Sequence, residues 1–123
     1  MTSSVISTIL QVVVALGLLN VWLVRPQKST AYRGGSAQSL KEEFAAYGLP
    51  DWTYYAVGAL KVGSAIALII GIWVPALIRP PAIIVAVLMV GALAMHAKVK
   101  DPLSKSVPAL TMLLMVVAIF LLQ

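Results

Sequence analysis

Four long apolar runs dominate the chain, and none alternates in polarity. Val5 to Val24 is interrupted only by Ser7, Thr8, Gln11 and Asn20. Thr53 to Val74 is the second run, with Pro75 just beyond it. The third spans about Pro80 to Ala97 and the fourth about Val107 to Leu122. Pro80, Pro81 and Pro108 fall in first turns, where a missing N–H breaks no intrahelical bond. About 20 residues at roughly 1.5 Å rise cover a hydrocarbon core of about 30 Å. The last two runs are short for a crossing, so they start in the preceding loop or sit in locally thinned bilayer. A barrel strand would alternate its polarity. The pattern predicts one all-α domain over residues 1–123, an integral membrane four-helix bundle with both termini on one side.

Residues 25–52 form the one long polar stretch. Its first half, RPQKSTAYRGGSAQS, has the composition of a loop. Its second half predicts a short amphipathic interfacial helix between the first and second spans. Ser39 can cap it, with Glu42 three residues on in a capping-box arrangement. Leu40, Phe44 and Tyr47 share one face, and Gly48 and Pro50 end it. Such a helix lies in the membrane interface or folds back onto the bundle.

Composition excludes a soluble domain. Hydrophobic residues make up 61% of the 123 positions and charged residues only 11%, against about 25% in soluble domains. Nine Lys and Arg face four Asp and Glu. Because the basic residues flank apolar spans, their expected anionic partner is the lipid headgroup layer rather than nucleic acid. The absence of cysteine excludes disulfides and Cys-ligated metal clusters within this chain. No Lys or Arg precedes the first run and no small-residue cleavage site follows it, which reads as a retained span rather than a signal peptide. Arg25, Lys28, Arg33 and Lys41 lie in the first loop, and Lys98, Lys100 and Lys105 in the third; Arg79 alone lies in the second. This bias predicts both termini outside, and the expected location is multi-pass in a bacterial cytoplasmic membrane.

Lys61 stands out chemically, about 12 Å along the second span. A lysine at mid-span costs about 2.5–3.5 kcal/mol on insertion scales. It either snorkels to the nearer interface or pairs with a carboxylate, and Glu42, Glu43, Asp51 and Asp101 are the candidates on that side. Asn20, His96, Tyr54 and Tyr55 fall toward the same side, predicting a polar pocket in one half of the bundle. Trp52 and the two tyrosines read equally as an interfacial aromatic belt. His96 either bonds loop carbonyls at its helix end or serves a ligand or proton. A lone histidine makes neither a bis-His haem nor a multi-His metal site. Ala59, Gly63, Ala67 and Gly71 form a small-residue stripe, read as a packing face within the monomer, with self-association as the alternative. No catalytic set occurs within the spans.

The segments FAAYGLPDW, GALKVGSAIALIIGIWVP and GALAMHAKVKDP resemble the DoxX-like family of small four-helix membrane proteins, over about residues 15 to 120. The family often carries Glu where this chain has Lys61, so an acidic or proton-carrying role does not transfer to that position. Relatives include the membrane subunit of a thiosulfate:quinone oxidoreductase and a vertebrate chaperone of nicotinic receptors. The resemblance implies the fold more than an activity. The expected function is a non-catalytic membrane module that binds a small lipophilic ligand or a membrane partner. One alternative is the membrane subunit of a quinone-linked oxidoreductase, with quinone as ligand and the redox centre on another protein. Another is a transporter formed by homo-oligomers.

Overall fold

A computed structural model of the chain describes residues 3–24, 26–27 and 32–123. Arg25 and Lys28, used above for orientation, lie outside these. Helix α1 (Ser3–Leu19) continues into a π-helical turn at Asn20–Val24. The short α2 (Leu40–Ala46) follows, then α3 (Asp51–Ile70), α4 (Arg79–Lys98) and α5 (Val107–Leu121). No strand occurs among the described residues. Four helical stretches are long and apolar enough to cross a membrane: Val5–Val24, Asp51–Ile70, Pro75–Lys98 and Leu103–Leu121. The last two gain length from 3-10 turns at Pro75–Leu77 and Leu103–Ser106. They therefore begin in their preceding loops.

The four long helices close a ring, α1 against α3 and α5, and α4 against α3 and α5. Each buries one line of residues. On α1 the line is Ser7, Gln11, Val14, Leu18 and Trp22. On α4 it is Ala82, Val85, Met89 and His96, and on α5 it is Ala109, Val116 and Ile119. Small and β-branched side chains bring these backbones close, the usual basis of helix association in lipid.

The inward line of α3 is Gly58, Ala65 and Leu68, and Lys61 falls on it at helical spacing. The predicted Ala59–Gly63–Ala67–Gly71 stripe is therefore not the contact face within the monomer. Ala59 and Gly63 are exposed, Ala67 is half-buried, and Gly71 alone of the four is buried. Gly63 stands two residues from both Lys61 and Ala65, which turns it about 200° away from the core. A side chain there would meet nothing within 4 Å. Gly58 would place a Cβ 2.7 Å from the Trp22 ring, and Gly71 one 2.7 Å from Ile78. These two glycines admit Trp22 and the turn after α3.

The end of the bundle opposite α2 carries a polar chain that composition alone left as scattered interruptions. Gln11 Nε2 donates to the Leu68 carbonyl at 2.9 Å. That carbonyl lies in the last turn of α3, where the Ile72 N–H bonds Ile69 instead. Gln11 thus caps a helix end from within the buried face of the bundle. Ser7 donates to Gln11 Oε1, Gln123 donates to Ser7, and Arg79 donates to the Gln123 carbonyl. Ser7 and Gln123 being neighbours, the start of α1 and the end of α5 lie at the same end of the bundle.

Overpacking separates the two glycine classes. Gly58→Val should lower stability by about 1–3 kcal/mol by displacing Trp22, whereas Gly63→Leu should change it by less than about 0.5 kcal/mol. Thermal unfolding of the detergent-solubilised monomer reads both. An equal loss at Gly63 would place that position in the core.

Candidate functional site

Helix α2 folds back onto the bundle rather than lying flat. Ser39 Oγ accepts the Glu42 N–H at 3.2 Å and donates to Glu42 Oε2 at 3.1 Å. The Glu42 carboxylate thus closes the cap through the hydroxyl. Leu40 and Tyr47 are buried and Phe44 is half-buried. The far end of α2 is held by Lys98, whose Nζ donates to the Tyr47 carbonyl at 2.9 Å, as suits a cation at a helix C-terminus. Trp22, Phe44 and Tyr54 meet as an aromatic cluster with centroids 5.2 to 6.0 Å apart.

Two cavities lie beneath this roof. One, of about 270 Å³, sits toward α1 and α5, and His96, Arg33 and Lys105 line its polar end. The other, of about 350 Å³, sits between α2, α3 and α4 and is mostly apolar. Leu40, Glu43 and Lys61 line both. Lys61 therefore stands at the wall between them. Its ammonium lies 5.5 Å from the centroid of the Trp22 ring, a cation–π contact. It makes no direct salt bridge with Glu42, Glu43, Asp51 or Asp101. Glu43 is the carboxylate whose charge reaches it.

Glu43 is itself committed. Arg33 Nη1 lies 3.6 Å from its Oε2, and the Tyr47 hydroxyl donates to its Oε1 at 2.6 Å. Burial first, and then the hydrogen bond and charge of Glu43, push the Tyr47 hydroxyl well above the usual phenol range. It stays a donor at any physiological pH.

His96 is buried, with Nδ1 2.7 Å from Asp101 Oδ2. An ionised carboxylate only accepts, so Nδ1 carries the proton. Nε2 has no hydrogen-bond partner among the described residues and belongs to a side chain lining the smaller cavity. Asp101 also accepts the Gly35 N–H at 3.0 Å and lies 3.7 Å from Lys105 Nζ. Lys105 in turn donates to the Gly35 carbonyl at 2.6 Å. Gly35 has φ +56°, a backbone that favours glycine, and Gly34 passes so close to the Tyr47 ring that no Cβ fits. Burial by itself raises the Asp101 carboxyl. The His96 hydrogen bond, the Gly35 amide and the Lys105 and His96 charges outweigh that and hold it below the usual carboxylate range.

The predicted site residues divide. Lys61 and His96 line the same cavity, and Glu43 joins them. Asn20 does not: it is exposed, because two residues from both Leu18 and Trp22 lies about 200° round the helix from the inward face. Tyr54 packs in the aromatic cluster, and Tyr55 is exposed with Lys41 Nζ 5.6 Å from its ring centroid. Neither lines a cavity. Glu42 and Asp51 are exposed in the first turns of α2 and α3, where carboxylates suit the helix dipole. Arg33, Tyr47 and Lys105 belong to the site although the sequence pattern does not mark them. Tyr47 on the α2 stripe was the available signal.

The architecture and the FAAYGLPDW, Lys61 and His96 segments that build the site fall inside one family match. A model of the DoxX-like family covers residues 9–120. The chain belongs to that family. Comparison with curated proteins and with solved structures finds no match. In this DoxX-like protein the candidate site is a pair of cavities beneath α2 in one half of the bundle. Among the described residues no group of three metal-ligating side chains gathers there.

The low Asp101 pKa sets a sign. A depressed carboxylate contributes stability above its unfolded value of about 3.9, and this is lost as pH falls through the lower folded value. Lowering pH from about 5 to about 2 should therefore reduce the melting temperature of wild type more than that of Asp101→Asn. Parallel curves for the two proteins would remove Asp101 from the account.

Proposed function

We propose that this DoxX-like protein is a membrane-embedded binding module, and that the chamber around Lys61 takes a small lipophilic molecule with a hydrogen-bond-accepting head. One observation carries the reading: the Lys61 ammonium lines both cavities with no hydrogen-bonded partner among the described residues. A polar group at that depth is costly unless something satisfies it. The two cavities lie near the lower end of the range for ligand pockets, about 300–1,000 Å³. Apolar walls from Leu18, Met89 and Met112 on one side, and Val57, Leu88 and Met95 on the other, suit a hydrocarbon body. His96 Nε2 offers a second polar contact in the smaller cavity.

A quinone is the second reading, because Lys61 and His96 line one cavity and each can bond a carbonyl oxygen. The electron-transferring centre would then belong to a partner protein. The loops that roof the chamber carry the basic excess, which supports a cytoplasmic chamber with both termini outside.

Purification in mild detergent followed by mass spectrometry of co-purifying small molecules tests the binding reading. Wild type should retain a lipophilic species that Lys61→Met loses while keeping its melting transition. Identical small-molecule content in the two proteins would remove Lys61 from the site. For orientation, a cysteine placed at the exposed Gln38 is unique in this cysteine-free chain. It should react with a membrane-impermeant maleimide only after the cells are permeabilised. Reaction in intact cells reverses the topology.

A further inference from the structure

We infer that the chamber selects an amphiphilic monoanion, such as a single-chain carboxylate, with its charged head against Lys61 and its hydrocarbon body along the apolar walls. This rests on the binding reading above and specifies the headgroup. Arg33, Lys61 and Lys105 line the smaller cavity, and the carboxylates in reach are Glu43 and Asp101. Three cations face two anions.

The two carboxylates are already used. Glu43 meets Arg33 and accepts from Tyr47, while Asp101 accepts from His96 and Gly35 and neighbours Lys105. The chain has four Asp and Glu in all. The remaining two, Glu42 and Asp51, are exposed on the outer surface. Residues 1, 2, 25 and 28–31 contain no acid and add only Arg25 and Lys28. No protein carboxylate is left for Lys61.

An unpaired cation inside a membrane bundle draws an anion, and a charge-assisted hydrogen bond from an ammonium to a carboxylate is about twice as strong as a neutral one. One positive charge in excess matches one negative charge on the ligand. Each cavity is small, about 270 and 350 Å³, so one short chain fits better than a two-chain lipid.

Trp22 reports occupancy directly, since the Lys61 ammonium lies over its ring. In a Trp52→Phe, Trp73→Phe background, Trp22 is the remaining tryptophan. Its fluorescence is titrated with octanoate, octanol, octylammonium and acetate. Octanoate should bind about tenfold or more tighter than octanol, because only octanoate offers a charged acceptor. Octylammonium and acetate should bind more weakly than either. In Lys61→Met and in Lys61→Gln, octanoate should fall to the level of octanol. Equal affinity for octanol and octanoate in wild type overturns the anion inference and leaves the lipophilic-ligand reading standing. Acetate as tight as octanoate overturns the amphiphile and leaves a simple anion site. No response of Trp22 to any of the four overturns both readings.

Discussion

Asp101 joins the end of α4 and the third loop to the first loop, which lies far from both in sequence. It orients His96 at the end of α4, accepts the backbone of Gly35 from the first loop, and neighbours Lys105 at the start of the last span. Gly35 is 66 residues away in the chain. Together with the Lys105 hydrogen bond to the Gly35 carbonyl, this node ties the first loop to the third at the polar end of the smaller cavity. The left-handed backbone at Gly35 and the close passage of Gly34 over Tyr47 fit the loop to that carboxylate. The node also fixes the His96 tautomer, which decides what the ring can present to the cavity.

The two ends of the bundle solve the same problem differently. Backbone and side-chain polar groups in hydrocarbon must find partners inside the protein. At the end holding Ser7 and Gln123, the side chains of Ser7, Gln11 and Gln123 are matched within a short chain that also caps α3. At the other end, Glu43 and Asp101 are matched but Lys61 is left facing open space. The protein thus links polar side chains in a short chain at one pole and places a cation beside two cavities at the other. The aromatic contact with Trp22 partly offsets the cost of the Lys61 charge, at roughly 0.5–2 kcal/mol for such pairs.

Much of this was legible in the chain because helical spacing is local. The first span, the α2 stripe and the Ser39 cap follow from residue order, and so does the depth of Lys61. Asn20 and Gly63 show what a spacing argument misses when it is applied to polar or small residues alone. Each stands two positions from residues on the buried line, Leu18 and Trp22 for the first, Lys61 and Ala65 for the second, and therefore faces outward. Following the whole inward line, rather than the repeat of small residues, puts Gly58, Lys61, Ala65 and Leu68 on one face. The Asp101–Gly35 and Arg33–Glu43 contacts were not legible, because they depend on how a glycine-containing loop lies across the bundle. Gln11 had a local signal in Ser7 four residues before it, but its partner is a helix-end carbonyl that only the turn after Gly71 sets free.

Lys61 faces two cavities and makes no salt bridge with a protein carboxylate among the described residues. Cryo-electron microscopy of the protein purified in mild detergent, resolved to side chains, decides whether that space takes a ligand. The expected result is continuous non-protein density within hydrogen-bonding distance of Lys61 Nζ, extending along the apolar wall of a cavity. Lys61 found in a direct salt bridge with Glu43, with both cavities filled by side chains, would contradict it.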